Sequence, residues 1–557
     1  MRKTIILHIA LLFSFSNAQT FEWVDVAPIN YQFNPAYFHG EVTTDNADNI
    51  VSARLINYLQ IYGQTIYGDL KLEKRNSSGT LIWEKTIYGK VDISEIDVDG
   101  ENNVICIGTF RDSVVIGTTT LFQTEVNQNS FIFKADASGN FLWVLDATSF
   151  APQYSILTAL ELKTSNNILI GATNYNVNAN IYEFSTAGSL VSTILQTNVG
   201  TVSDINVDIS GNIWVTGFTF NGPASFNGFD TIAPFSYNEY IVKYNSAGSA
   251  QWVNFIEDIT VQDFNIETDA SGNGYLSGNI FMETNFGNLV ANGPQWVYDF
   301  FVTKISPDGN FIWLNEIPPG NNTGDATTGN SNFLFCNSNG DTYLTGFFRG
   351  TINFGNGVTL TPIISNNDLF VLSYNTDGII QWAKAAGSNS YDNGSSITGD
   401  ENGNIYLSGF VGESSIFDTI TVNGDYVNIF LAKLNSGSVV SVEDNFNEII
   451  LNNFVLYQNY PNPFNPSTNI EFTISTSPYP SPYQGEGTRE RSLVTLKVYD
   501  VLGNEVATLV NEEKPAGNYE VEFSVGQDSS PDIASGIYFY TLRAGTFIQT
   551  KKMILLK

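Results

Sequence analysis

Histidine is almost missing from this chain: two residues in 557, His8 in an apolar leader and His39 beyond it. One histidine past the leader cannot build a histidine metal site, and any Ser-His-Asp or Cys-His constellation would have to converge on it. His39 therefore reads as a structural residue of the first inner strand. Cysteine is equally scarce. Cys106 and Cys336 fall in different sequence repeats, which excludes a disulfide framework and leaves two buried free thiols. Basic residues number 24 against 56 acidic ones, a net charge of −32 that argues against nucleic acid or an anionic membrane as partner. Solubility is the plain reading of that excess. After residue 18 no apolar run is long enough to span a bilayer as a helix.

What is abundant points one way. Aromatics make up 13% of residues, charged residues only 14%, and glycine numbers 47, a profile of strands and tight turns. The length calls for two or more domains. Met1–Ala18 has basic Arg2 and Lys3, an apolar run from Ile5 to Phe15 and a small-residue ending, so it reads as a signal peptide cleaved before Gln19.

The stretch from Leu369 to Phe410 contains four runs of period-two alternation, Leu369–Tyr374, Ile379–Ala385, Ser395–Thr398 and Asn404–Phe410, separated by Gly/Asn turns. Most of the chain up to residue 440 repeats it. A Gly/Asn turn opening a strand recurs seven times, at residues 49, 103, 167, 212, 273, 341 and 404, and these positions number the repeats one to seven. A strand ending near Lys recurs seven times, as at Leu72–Lys74 and Tyr240–Lys243. A Gly followed four residues later by Trp appears at Gly79/Trp83, Gly139/Trp143, Gly248/Trp252, Gly309/Trp313 and Gly378/Trp382. Repeat three has only a degenerate copy at Gly188, and the last repeat runs out at Leu434 without its Trp. The missing strand stands at the other end: Phe21-Glu22-Trp23-Val24-Asp25 matches Phe141–Leu145. A ring closed by its own first strand accounts for both loose ends. The expected fold is all-β, a seven-bladed β-propeller over 19–440 closed by its N-terminal strand, with the Trp as packing residues.

These repeats resemble bacterial propeller repeats of the SBBP type and, more loosely, NHL propellers, on phrases such as Ser210–Gly217 and Phe301–Trp313. The resemblance implies a fold and no particular activity.

Loop lengths sort the two faces of such a ring. Turns from inner to second strand, and from Lys strand to Trp strand, are short. Those from second to third strand, and onward to the next repeat, are long, as at Phe348–Gly355 and Pro318–Asn330. Long connections on a rigid scaffold are where binding residues sit, so Arg111, Arg349, Tyr391, Asp392 and Asn393 are the candidate ligand-binding residues. No catalytic residue and no metal ligand is assigned. The turns typified by Asp97–Asn103 lack the position-twelve ligand of an EF-hand and read as hairpin turns. Carboxylate pairs could serve a glycosidase, but among so many acids no pair stands out.

Beyond Val440 the composition changes. Residues 441–453 form an acidic, polar linker, and 454–557 read as a small β-sandwich interrupted by the Pro-rich insertion 475–491. The motifs Asn459-Tyr460-Pro461-Asn462-Pro463-Phe464-Asn465-Pro466, Tyr499-Asp500 with Leu502-Gly503, Pro515-Ala516-Gly517 with Tyr519, Ser535-Gly536-Ile537-Tyr538 and Lys551-Lys552-Met553-Ile554 resemble the type A C-terminal sorting domain of the type IX secretion system. That resemblance implies passage through the periplasm, recognition by the outer-membrane translocon and its sorting peptidase, and a final place at the cell surface or outside the cell. The expected molecule is a secreted or surface interaction and adhesion protein without a cofactor, recognising an extracellular protein or glycan. The alternative is a carbohydrate-active hydrolase or lyase on the same scaffold.

Overall fold

The computed structural model describes residues 19–29, 40–435 and 455–556, apart from short stretches of the connections and residues 475–490. The leader, His39, the linker 441–453, most of the Pro-rich insertion, Pro461 and Gly503 lie outside the described residues. The chain divides into two compact units, Met1–Ser441 and Val442–Lys557. Apart from one 3-10 turn at Ala147–Ser149, the regular structure among the described residues is β-strand.

Repeat four shows how each repeat folds. Asp204–Val207, Ile213–Phe226, Phe229–Tyr244 and Ala250–Glu257 pair antiparallel in that order. The first turn is built by Asp208, whose Oδ1 accepts from the backbone N–H of Ser210 and Asn212 at 3.0 and 2.9 Å, with Gly211 at φ +78°. Lys243, on the third strand, places its ammonium 3.2 Å from the same carboxylate. Asp45–Lys74, Asp99–Lys134 and Asp269–Lys304 repeat this arrangement at 2.5, 2.7 and 3.6 Å.

The repeated Trp does not serve its own sheet. Trp83 lies against Gly139 of the following repeat and donates its indole N–H to the Ala137 carbonyl at 2.9 Å. Trp23, Trp143, Trp252 and Trp313 do the same to Gly79, Gly188, Gly309 and Gly378. Each of these glycines has φ near +80°, and a Cβ there would press into the indole. The glycine is required twice, by the turn and by the ring lying on it.

Inner strands touch one another in a cycle. Gly40–Thr44 contacts the second half of Leu81–Val98, which contacts Ile156–Leu162, and the contacts continue through Asp204–Val207, Asn265–Thr268, Leu334–Cys336 and Asn393–Gly399 back to Gly40–Thr44. Thr20–Ile29 is the outer strand of the last sheet, paired antiparallel with Val427–Asn435. Asp25 on this strand is bound by Arg54 and Arg75 of repeat one, at 2.8 and 3.0 Å. Arg54 is 1% exposed and also meets buried Glu73.

The long connections are more ordered than their composition suggests. Phe348–Gly355 is no plain loop: Ile352–Gly355 pairs with Val358–Leu360 as a β-ribbon. Ribbons Thr284–Phe286 with Leu289–Ala291, and Ser415–Phe417 with Ile420–Val422, stand at the same place in repeats five and seven. Their Phe286, Phe354 and Phe417 are buried and pin the ribbons to the sheets. Both cysteines are buried free thiols.

The second unit is two facing sheets. One holds Val455–Leu456, Ser467–Ile474 and Gly517–Ser524; the other holds Glu505–Pro515, Arg491–Tyr499, Gly536–Ala544 and Phe547–Leu555. Phe472, Leu496, Tyr540 and Met553 fill the space between them.

Candidate functional site

The inner strands enclose a cavity of about 100 Å³ to which every repeat contributes. Its walls carry Glu95, Asp97, Glu161, Asp204 and Glu267. Burial, reinforced by neighbouring carboxylates, pushes Glu95, Glu161 and Glu267 well above the usual carboxylate range. Burial likewise raises Asp97, to about 7. Several of these groups stitch one repeat to the next. The Leu160 N–H donates to Glu95 Oε2 at 2.6 Å, the Ile266 N–H donates to Asp204 Oδ2 at 2.7 Å, and Asn206 Nδ2 donates to Glu267 Oε2 at 3.0 Å. Among the described residues no group of three or more His, Cys, Asp or Glu is placed to hold a metal ion.

One end of the cavity is stopped by the chain itself. In repeats two, three and seven the inner strand carries a one-residue bulge, at Ser94, Thr158 and Ser395. In repeat six the bulge grows to five residues, Gly329–Phe333, which stand opposite Thr345 alone. This segment crosses the centre. Asn332 Nδ2 donates to Glu95 of repeat two at 2.9 Å, Ser331 donates to Glu41 of repeat one, the Phe333 N–H donates to Asn265 of repeat five at 2.9 Å, and the Asn332 carbonyl accepts from Ile397 of repeat seven at 2.7 Å. The end of the sequence stretch 318–330 therefore leads into a plug and not onto a solvated surface. Sequence reasoning missed both the plug and the carboxylate lining, because each repeat supplies only one or two of the groups involved.

On several second strands a glycine lies hard against the inner strand or the segment leading into it. A Cβ at Gly217 would sit 2.4 Å from the Thr201 carbonyl, and at Gly346 only 2.0 Å from that of Thr327. Gly108 and Gly409 are equally close to the inner strand. The backbone approach admits no side chain.

The five candidate binding residues part company. Arg349 is exposed and forms a two-pronged pair with Asp325, at 2.6 and 2.7 Å. Tyr391 is exposed and lies within electrostatic reach of Arg349. Arg111 is half-buried in repeat two with its guanidinium 5.4 Å over the Tyr67 ring. Asp392 and Asn393 are buried at the start of the inner strand. The Asp392 carboxyl accepts from the N–H groups of Ser388 and Gly412 at 2.6 and 2.8 Å, and burial raises it to about 7. Arg349 and Tyr391 are thus the two that solvent reaches freely.

In the second unit the motif residues meet the last strand. The Ile554 N–H donates to Asn462 Oδ1 at 2.9 Å, and buried Phe464 exchanges backbone hydrogen bonds with Ile554 and Leu556. Pro463, Asn465 and Pro466 are exposed around it. Tyr519, beyond Gly517, stacks on Phe472 with ring centroids 5.5 Å apart. Tyr538, after Gly536, donates its hydroxyl to the Ala534 carbonyl at 2.7 Å. Lys551 and Lys552 lie on Phe547–Leu555, opposite Tyr540 and Phe539.

No protein with a curated description matches the sequence. Solved structures that align with it include a Bacteroides caccae protein of unknown function, 10% identical over 62% of this chain and 93% of its own, with a TM-score of 0.33. Two others are the quinohemoprotein alcohol dehydrogenase of Comamonas testosteroni (10% identity, 78% and 79% covered, TM-score 0.38) and a gluconolactonase of Xanthomonas campestris (10% identity, 74% and 97% covered, TM-score 0.31). Residues 458–556 match the family model described as the secretion system C-terminal sorting domain. This C-terminal unit is a sorting domain of the type IX secretion system.

Proposed function

We propose that the chain is exported through the type IX system and acts at the cell surface or outside the cell as a binding and adhesion protein. The observation that carries the proposal is the sorting domain at 458–556. The N-terminal unit is read as a seven-bladed propeller of SBBP type closed by Thr20–Ile29. The cyclic contacts of the inner strands and the pairing of the first strand with the last sheet support that reading. Its long-connection face, with Arg349 and Tyr391, presents the binding surface to an extracellular protein or glycan.

A binding role is favoured over a hydrolase or lyase by the centre of the ring. The carboxylates that line the central cavity are engaged in hydrogen bonds that join one repeat to the next, as Glu95, Asp204 and Glu267 are. The plug Gly329–Phe333 occupies the place where a substrate would descend. Expression of two forms in a type IX-competent host tests the proposal, the full chain and one lacking 454–557. The full chain is expected in the surface or medium fraction and the truncated chain in the periplasm. Equal export of both would overturn the route, and sugar release from polysaccharides by the purified full chain would overturn the binding role.

A further inference from the structure

The exposed aromatic side chains of the first unit are not scattered evenly. Tyr88, Phe122, Tyr154, Phe220, Phe229, Tyr237 and Tyr391 are the ones among the described residues, and all lie where second strand passes to third or outer strand passes to the next repeat. Antiparallel order puts both kinds of connection on one face of a ring. The tight Asp/Asn turns of the opposite face show none.

On repeat four the aromatics form a unit. Phe220 and Tyr237 are direct cross-strand partners, 38% and 47% exposed, and Phe218 meets Phe220 edge to face with centroids 5.1 Å apart. They stand on a paired ribbon and not on a loose loop, so little side-chain freedom is lost on binding. Gly200 lies under both phenylalanines, where a Cβ would come within 3.2 Å of each ring. Amides flank the rings. Asn198 Nδ2 is held on the Phe220 carbonyl at 2.9 Å and Asn221 Nδ2 on the Phe235 carbonyl at 2.9 Å. On the adjoining strands Asp230 and Glu257 are exposed acids and Glu239 a buried one, while the base Lys243 stands at the far end, paired with Asp208.

We infer that Phe218, Phe220 and Tyr237 form a platform for a neutral glycan. Flat apolar faces bordered by amide groups complement a sugar, whose ring offers C–H faces and a rim of hydroxyls. A protein partner would call for a contiguous apolar patch of a few hundred Å², and here polar groups interrupt the apolar surface within one residue of the rings. The nearby carboxylates and the net charge of −32 repel polyanions. The inference rests on the long-connection face being the binding face, and it names the class of ligand and the repeat that takes it.

The test is affinity electrophoresis of the full mature chain in gels containing a β-glucan, a mannan, an arabinoxylan or, as anionic control, polygalacturonate. Retardation by at least one neutral polysaccharide is expected, with at least tenfold weaker binding in the Phe220→Ala/Tyr237→Ala variant and unchanged binding in Ile209→Ala on the opposite face. Circular dichroism of each variant separates lost binding from lost fold, and Phe220→Tyr is expected to keep binding. Loss of binding in Arg349→Ala/Tyr391→Ala while the repeat-four variant still binds would overturn the platform and leave the binding face standing. Retardation by polygalacturonate alone, or by none of the four, would overturn the glycan inference. Binding indifferent to both pairs of substitutions would overturn the choice of face as well.

Discussion

Lys163 and Glu183 face each other at 3.2 Å with their charges exchanged relative to the other ion-paired repeats. Repeats one, two, four and five place an Asp in the first turn and a Lys on the third strand. Repeat three places the Lys in the turn and the acid on the strand, where Glu183 also accepts from Asn167 and Ser192 at 2.7 and 2.9 Å. Repeat six has no ion pair here: Asn337 stands in the turn, where its Nδ2 donates to Asp341 at 3.2 Å, and Ser373 stands on the strand. Where the site holds an ion pair, the pair runs in either direction; in repeat seven the strand's Lys433 turns instead to Glu22, at 2.8 Å.

That freedom of direction is testable. Glu183→Lys sets two ammonium groups together at a site where the side chains are only 13% and 15% exposed, and is expected to cost about 3 kcal/mol in urea unfolding. Adding Lys163→Asp should recover more than half of the loss. A double variant no more stable than the single would show that the hydrogen bonds to Glu183, and not the pair, hold the turn.

Gly217→Ala places a methyl 2.4 Å from the Thr201 carbonyl. The expected loss is about 2–3 kcal/mol, against about 1 kcal/mol for Gly228→Ala, where only the left-handed backbone opposes a side chain. Gly228, at φ +89°, has nothing within 4 Å of its Cβ position, so its cost reports backbone conformation alone. Comparable losses at both positions would remove the close-approach account of the second-strand glycine.

Stability should fall as pH rises from about 4 towards 7. Asp97 and Asp392 are raised to about 7 in the folded chain, and burial raises Glu95, Glu161 and Glu267 well above the usual carboxylate range. Below the unfolded value near 4 these acids are protonated in both states; as pH rises through the window, the unfolded chain ionises first and is favoured. The ion-paired Asp99, Asp208 and Asp269 are lowered and act oppositely, losing their contribution as pH falls below about 4. Denaturant midpoints should therefore peak near pH 4–5, and Asp97→Asn should flatten the decline towards 7. A midpoint that climbs steadily to pH 7 would contradict the protonated cavity.

Removing residues 19–29 strips the outer strand from Val427–Asn435 and leaves Arg54 and Arg75 without Asp25. The expected loss exceeds about 5 kcal/mol, beyond the reach of an ordinary point substitution, and an added peptide of residues 19–29 should restore part of it. Calorimetry of the truncated chain with and without peptide measures both. Unchanged melting would mean that the first strand is an ornament.

The strands of the repeated unit were legible because alternation and turn chemistry are local. The expected Leu369–Tyr374 and Asn404–Phe410 appear as Asp368–Tyr374 and Asn404–Gly412. The orphan Phe21–Asp25 could be matched to its partner because it copies a repeated pattern. The ribbons were hidden behind their Gly and Asn, which look like loop. Gly329–Phe333 was invisible because its partners are contributed by repeats one, two, five and seven. Asp392 and Asn393 looked like surface residues because they stand in a polar run; nothing in its composition shows that Ser388 and Gly412 fold over the Asp392 carboxyl.

The Phe21 N–H donates to Asp418 at a separation of 397 residues, and Lys384 reaches back to the Gln19 carbonyl over 365. The strand Thr20–Ile29 is therefore among the last to find its place. Until repeat seven exists, Thr20–Ile29 has no sheet to join, and no partial chain can complete the structure. Closure of the last sheet is a contact of very high sequence separation, paid for in loop-closure entropy and formed late.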